Sequence, residues 1–418
     1  MPWRTTDLVT IREEFVQLVL SGRHSVAALC NAYGISEKTG HKWVNRFKDE
    51  GKPGLADRSR APHESPQRMS LAARSEILAL REKHPTWGPK KLRVVLQQKF
   101  PAIQWPAPSS IGELLRREGR VRPPRQRRGG IGLPIDSGLT VAHAPNDVWT
   151  TDFKGEFRLA NGELCYPLTT QDMATRYLIG TTALSSTSGV PVKIAFSRHF
   201  EEFGLPLVIR SDNGVPFASP SAIGRLSRLS VWWIRLGIRP ERIEPAQPQQ
   251  NGKHERMHKT LKAEATRPPE ANLAEQQIRL DRFRKEYNDE RPHESLNQVT
   301  PASCYRSSPR AYSSRLSDLS YPGHFEIRTV SESGGIYFRH NRFQLTTALA
   351  NQDVGLEETD DDLWAVSFGP LVLGTYHLPS NTFVDEVRWK PFDPPPEEGV
   401  AQEENPKHLT DDLPMSPV

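Results

Sequence analysis

Near residue 145 the apolar pattern of this chain changes period. Upstream, apolar side chains recur at helical spacing, as in Ile11, Phe15, Leu18 and Val19 of the segment 10–20. Downstream, short apolar runs (Val148–Phe153, Leu164–Thr170, Tyr177–Leu184, Leu207–Ser211 and Ile238–Ile243) alternate with helical stretches at 190–203, 223–236, from about 251, and 272–288. Strands alternating with helices predict a mixed sheet with helices on its faces. The chain is therefore multidomain: an all-α amino-terminal part precedes an α/β part. A third pattern occupies 323–378, where short alternating runs are punctuated by Gly334-Gly335, Asn341 and Gly369-Pro370. It predicts a small carboxy-terminal β-barrel over 320–385. Residues 391–418 are acidic and proline-rich, too poor in apolar side chains to order themselves, which predicts a disordered acidic tail.

Composition narrows the function classes. Mean hydropathy is −0.59 and no run approaches the ~20 apolar residues that span a bilayer, so no membrane partner is expected. Arg4, Asp7, Arg12, Glu13, Glu14 and Arg23 break up the first 30 residues, so no secretory leader is expected there. Cys30, Cys165 and Cys304 are too few for a disulfide framework or a Cys-rich zinc module, and a reducing cytoplasm is expected. Charge is uneven: residues 1–130 carry a net +13 and residues 351–418 a net −12. A basic first third is the electrostatic footprint of a nucleic-acid binder, because each neutralised phosphate releases condensed counterions.

The first 56 residues predict three helices, at 10–20, around Val26, Leu29 and Cys30, and from Ser36 to Phe47. Tyr33-Gly34-Ile35 makes the turn, Ser36 caps the third helix, and Trp43 and Phe47 form its inward side. This is a helix-turn-helix layout. Its outward Lys38, His41, Lys42, Asn45 and Arg46 suit phosphates and base edges in the major groove. Gly34 and Gly40 are not a phosphate-binding loop, since the spacer is one residue too long and the Gly-Lys-Ser/Thr ending is absent. A linker at 57–69 leads to a second helical DNA-binding domain at 70–120, with helices at 70–84, 88–100 and 109–119. Ser110 and Glu113 have capping-box spacing there. The basic linker 121–143 offers Arg125, Arg127 and Arg128 to a DNA backbone.

Three short phrases carry the chemistry. Trp149-Thr-Thr-Asp152-Phe153 puts Asp152 inside a strand. Arg210-Ser-Asp212-Asn213-Gly214 puts Asp212 where a buried strand ends. Gln250-Asn251-Gly252-Lys-His-Glu255-Arg256 puts Glu255 in the first turns of a helix. Each alone has an ordinary reading. A strand aspartate caps a neighbour, Asp-Asn-Gly makes a turn, and Asn251 caps a helix whose dipole favours Glu255.

Together and in this order they resemble the DDE transposases of bacterial insertion sequences and the retroviral-type integrases, whose catalytic core is ribonuclease H-like. Gln171-Asp172-Met-Ala-Thr-Arg176 is similar to the hairpin after the first catalytic strand. Tyr287-Asn288-Asp-Glu-Arg291-Pro292-His293-Glu-Ser-Leu296, then Thr300-Pro301 and Tyr305, is similar to the motif that closes the core. The resemblance covers about 10–385, with the core at 144–308, and implies Asp152, Asp212 and Glu255 as the catalytic, metal-binding triad. The spacing departs from the pattern: 42 residues separate Asp212 from Glu255, more than the family commonly has. Glu244 is the other candidate, but Pro245 follows it and no helix carries it. Asp147, Glu156, Asp172 and Asp289 read as structural, and His254 as a polar surface residue rather than a metal ligand.

Three carboxylates suit Mg2+, with Mn2+ as a substitute, and two ions ~3.5–4 Å apart fit phosphoryl transfer. At about 100° per residue, Glu255, Lys259 and Lys262 share one side of their helix, while Met257, Leu261 and Ala265 lie opposite. The two lysines are expected to hold the DNA end. By the resemblance the chain is a transposase that cuts element ends and joins them to target DNA. It would act in the bacterial cytoplasm, associated with the nucleoid, as a homo-oligomer on double-stranded DNA that includes the terminal repeats and the target. The alternatives are a non-catalytic DNA-binding regulator derived from a transposase, and a ribonuclease H-like nuclease without strand transfer.

Overall fold

In the computed structural model, which describes residues 7–58, 69–121, 138–244 and 247–390, the change of period near 145 is the change from helices to sheet. The chain forms two compact units, Met1–Ser70 and Leu71–Val418.

The first unit contains α1 (Leu8–Leu20), α2 (Val26–Ala32) and α3 (Glu37–Glu50). Ser25 and Ser36 cap α2 and α3 by accepting the backbone N–H of Ala28 and Thr39. Phe15, Val16, Leu29, Cys30, Trp43, Val44 and Leu55 form the core. Phe47, expected inside, is only half-buried, and Val44 takes the inward place beside Trp43. Gly40 faces this core: a Cβ there would collide with Cys30 Sγ. Its glycine is a packing requirement, which lets α3 approach α2 closely.

The second unit opens with α4 (Leu71–Lys83), α5 (Pro89–Lys99) and α6 (Pro108–Arg117). The expected Ser110–Glu113 capping box does not form. Helix α6 starts earlier, with Pro108 in its first turn, and Glu113 pairs with Arg116 and Arg117 instead. Proline supplies the helical φ and needs no N–H, so the start moves to it.

The α/β core comprises β1 (Val148–Phe153), β2 (Phe157–Arg158), β3 (Leu164–Asp172), β4 (Leu178–Leu184), α7 (Gly189–Phe203), β5 (Val208–Ser211), α8 (Arg228–Arg235), β6 (Arg239–Arg242), α9 (Gly252–Glu264), α10 (Leu273–Lys285) and α11 (Pro301–Cys304). The sheet runs β4-β3-β1-β5-β6, with β2 also on β3. Strands β4, β3 and β1 are antiparallel neighbours, whereas β5 and β6 join β1 in parallel. Three antiparallel strands followed by two parallel ones are the ribonuclease H-like arrangement. The predicted helix 223–236 is shorter: residues 223–225 form a separate turn, and α8 starts after Ser227, whose capping box with Ser230 fixes the boundary.

One face of the sheet carries a core of Trp149, Ile179, Phe196, Phe200, Ile209 and Trp233. The other carries Leu178, Met257, Leu261, Leu280 and Tyr287. The closing motif holds this face down. Asn288 hydrogen-bonds both the N–H and the carbonyl of Leu178, and Gln171 Nε2 donates to Tyr287 Oη at 3.1 Å. The helices α4–α6 pack on the same motif, through His84–Glu286 at 2.7 Å and Lys90–Glu294 at 2.5 Å.

The carboxy-terminal strands are β7 (Glu326–Thr329), β8 (Gly335–Phe338), β9 (Asn341–Gln344), β10 (Asp353–Asp360), β11 (Leu363–Phe368), β12 (Leu371–His377) and β13 (Thr382–Trp389). The expected closed barrel is not made by strand pairing. The order β13-β12-β11-β10-β7 is open, and β8-β9 is a separate hairpin. The hairpin closes the core through rings, Phe343 stacking on Tyr376 and Phe383, and the same core takes Val231 and Ile234 from α8. The tail 391–418 lies outside the described residues.

Candidate active site

Asp152 and Asp212 are brought together by the sheet. Thr150 of β1 pairs in parallel with Arg210 of β5, so the aspartates two residues further on leave adjacent strands at the same edge. The end of β5 is anchored below them. Arg210 is buried, donates to Glu241 of β6 at 2.6 Å, and also binds the Thr140 carbonyl at 2.6 Å. Asp212 Oδ1 accepts the Gly214 N–H at 3.0 Å, the expected turn.

Asp152 is the most perturbed carboxylate of the site. Its pKa is pushed up to about 7, first by burial, then by the negative charge of Asp212, with Glu255 adding to it. Protonation is favoured because burial and the Asp212 charge outweigh the opposing pull of the Phe153 N–H and the Lys154 ammonium.

Glu255 is exposed on α9. It is near enough to raise Asp152, but among the described residues no three His, Cys, Asp or Glu side chains converge to hold a metal ion. The expected helix polarity holds on the packed side, where Met257, Leu261 and Ala265 are buried and Lys259 and Lys262 are exposed. Asn251 does not cap α9 with its side chain, and its Oδ1 is buried without a partner.

His254 corrects the sequence reading. It is fully buried, not a surface residue. Thr169 Oγ1 donates to the Asp152 carbonyl at 3.0 Å and lies 2.7 Å from both His254 Nε2 and His258 Nε2. A hydroxyl has one proton, so with that donation both imidazoles must donate through Nε2. His254 Nδ1 is then an acceptor, so the single proton of Thr150 Oγ1 goes to it at 2.8 Å rather than to the Gln171 carbonyl at 3.3 Å. Burial pushes the pKa of His254 down to about 3 and that of His258, with help from His254, down to about 2, so both rings are neutral. His258 Nδ1 stands 3.7 Å from Asp152 Oδ2. The sequence reading missed this layer of two histidines and two threonines. The only available signal was the i, i+4 spacing of His254 and His258 on the face that also carries Leu261.

Asp172 proves structural: buried, it accepts the N–H of Asn146 and Thr175 and the Thr175 hydroxyl. Asp147 accepts the N–H of His143 and Ala144. In the first unit Lys38, His41, Lys42 and Asn45 are exposed on α3 and Arg46 is half-buried. Arg12, Lys42 and Arg46 all lie over the Trp43 ring, at 3.9, 4.3 and 5.3 Å. Arg125, Arg127 and Arg128 lie outside the described residues.

Comparison with known proteins matches the integrase core domain twice, at residues 142–248 and 236–301. The first match contains Asp152 and Asp212 and the second Glu255. A helix-turn-helix domain matches residues 11–63 and a homeodomain-like domain residues 39–115. An uncharacterized 39.2 kDa protein of the insertion element IS476 of Xanthomonas euvesicatoria is 28% identical over 58% of this chain. The match spans 66% of that protein, just under two thirds. A 31.7 kDa protein of the insertion element IS407 of Burkholderia multivorans is 26% identical over 56% of this chain and 79% of its own length. Among solved structures, the HTLV-2 integrase catalytic core domain in complex with magnesium matches at 15% identity and a TM-score of 0.30, covering 38% of this chain and 97% of that one.

The class is thus a helix-turn-helix protein with an integrase core domain. More narrowly, the chain is similar to proteins of the insertion elements IS476 and IS407, in line with the resemblance its sequence motifs carry.

Proposed function

We propose that this chain cuts DNA at the ends of an insertion sequence and joins those ends to target DNA in a divalent-metal-dependent reaction. The observation that carries the reading is the pair Asp152 and Asp212 on and just after adjacent strands, where burial and the Asp212 charge push Asp152 up to about 7. Carboxylates held together without a cation form a hard-oxygen donor set, which fits Mg2+ or Mn2+. Asp152, Asp212 and Glu255 would hold the metal, as two ions. Bound there, it would lower the pKa of a water and offset charge on the phosphate. Glu255 belongs to the set on the strength of its charge beside Asp152 and its helix, and it must approach further to ligate.

The protein's own groups supply the frame. The Thr169, His254 and His258 layer fixes α9 against β1 and β3 with neutral donors, so neither imidazole places a positive charge beside Asp152. Water attacks the phosphorus at the element end and the 3′ oxygen leaves, exposing a 3′-hydroxyl. That hydroxyl attacks a target phosphodiester and displaces the target's 3′ oxygen. Lys259 and Lys262 hold the donor end, while Lys38, His41, Lys42, Asn45 and Arg46 of α3 read the terminal repeat. Arg125, Arg127 and Arg128 would track the backbone. Joining two ends calls for a multimer on DNA, acting in the cytoplasm on the nucleoid.

Labelled element ends incubated with and without Mg2+ test the reading. Nicking and joined product are expected only with metal, and Asp152→Asn should bind ends but nick none. Binding without any metal-dependent nicking would establish the regulator instead, and nicking without joining of pre-cut ends would establish the nuclease.

A further inference from the structure

A small cavity of about 90 Å3 lies beside α9, away from the aspartates' strand ends in chain position but built partly from the same helix. Five cationic side chains line it: Lys91 of α5, Arg176 of the β3–β4 turn, Lys253 and Arg256 of α9, and Arg291 after α10. No aspartate or glutamate is among its lining residues. Arg291 is paired with Glu264 at 2.9 Å. Among the described residues Lys91, Arg176, Lys253 and Arg256 have no ion-pair partner. His293 also lines the cavity, and its Nε2 is buried without a hydrogen-bond partner.

Several parts of the fold thus place positive groups around one space that no anion of the protein fills. Arg176 does so from a left-handed backbone (φ 65°) that the Asp172–Thr175 turn enforces. Burial, with Arg291 next, pushes the Lys91 ammonium down to about 8, against the opposing charges of Glu264 and Glu294. Like charges gathered in a half-buried space repel, and an anion entering it offsets that cost. A tetrahedral oxyanion accepts from several N–H donors at once, which suits guanidinium forks and ammonium groups together.

We propose that this cavity binds one phosphate of the DNA backbone, so that α5 of the second helical set and α9 of the core grip the same strand. The inference rests on the reading that the core binds DNA. It adds a contact that α3, the basic linker and the two lysines Lys259 and Lys262 do not supply. It also gives the packing of α4–α6 on the closing motif a purpose: Lys91 reaches the cavity because that packing holds α5 there.

The test is binding of the full chain to a duplex oligonucleotide over a range of salt, without metal. Each phosphate contact contributes about −0.9 to the slope of log K against log salt. Arg176→Gln combined with Arg256→Gln should weaken binding roughly tenfold and flatten the slope by about 1. Lys253→Gln, on an exposed residue of α9 where folding is least at risk, should do the same to a smaller degree, and Arg256→Lys should retain most of the affinity. Circular dichroism and thermal midpoints establish that each variant is folded. Affinity and slope equal to wild type in all folded variants overturn the proposal while leaving the transposase reading in place. Inorganic phosphate that raises the thermal midpoint of wild type but not of the double variant, with DNA binding unchanged in both, assigns the cavity to a free anion and likewise overturns it. A wild-type chain that binds no duplex at all overturns both readings.

Discussion

Helices α3 and α9 look alike in sequence and are held in opposite ways. Both are about the same length, and both expose a basic side and bury the other. Helix α3 is defined locally: Ser36 caps it, and its packed side is the apolar pair Trp43 and Val44. Helix α9 has no side-chain cap, and its packed side includes two fully or nearly buried histidines. Those histidines are satisfied only by Thr150 and Thr169, about 85 to 104 residues away in sequence. Helix α3 thus stands on hydrophobic burial that any small bundle provides. The helix carrying Glu255 stands on polar contacts that exist only once the sheet has formed. A buried polar group costs little when partnered and much when it is not, so α9 has one acceptable seat on the sheet.

The largest effect should come from breaking that seat. Thr169→Val removes one hydroxyl that serves both imidazoles and the Asp152 carbonyl, and a loss of ~2–4 kcal/mol in urea unfolding is expected. A loss under about 1 kcal/mol, the scale of one ordinary hydrogen bond, would show that the layer is not what seats α9.

Next comes the charge beside it. The pKa of Asp152 is raised when the protein is folded, so the folded form holds this proton more tightly than the unfolded form. The resulting stability is complete below the ordinary value of 3.8 and is lost as pH rises through about 7. Metal-free Asp152→Asn should therefore be more stable than wild type at pH 8, by on the order of 2–4 kcal/mol, and the difference should vanish near pH 4. Thermal melts of both proteins across that range measure it. A difference that does not depend on pH would remove the case for clustered carboxylates.

On the α3 side, Ser36→Ala removes the cap at Thr39 and should cost ~1 kcal/mol. The smallest expected change in stability is for Lys42→Ala, an exposed residue whose ammonium sits over the Trp43 ring: ~0.5 kcal/mol or less. Its affinity for terminal-repeat DNA should fall clearly all the same. If Lys42→Ala lost stability rather than DNA binding, the basic side of α3 would serve the fold rather than DNA, and the contrast would fail.

Much of the site was legible early. Asp152 and Asp212 come from phrases whose strand and turn character is local, whereas the parallel pairing of β1 with β5 that brings them together is seen only in the structure. Asp147 and Asp172 were readable as structural because each closes a turn within a few residues, although Asp172 also holds Asn146 across 26 positions. His254 was misread because an imidazole is compatible with water or with a buried partner, and the deciding hydroxyls belong to other strands. The barrel was misjudged for a similar reason. Alternation shows that β7–β13 are strands, but which edges exchange hydrogen bonds depends on how the hairpin β8-β9 meets the rest.

The sequence by itself determined which segments are helices and strands, which acids stand on or just after strands, and which helix faces are apolar. These follow from periodicity, capping and turn chemistry, all of which act over a few residues. Only the tertiary structure decided that two histidines would be buried under Asp152, that α4–α6 would pack on the closing motif, and that five separate cations would surround one cavity. Those outcomes depend on partners brought together across the chain, where burial removes water and leaves each polar group only the neighbours the fold supplies.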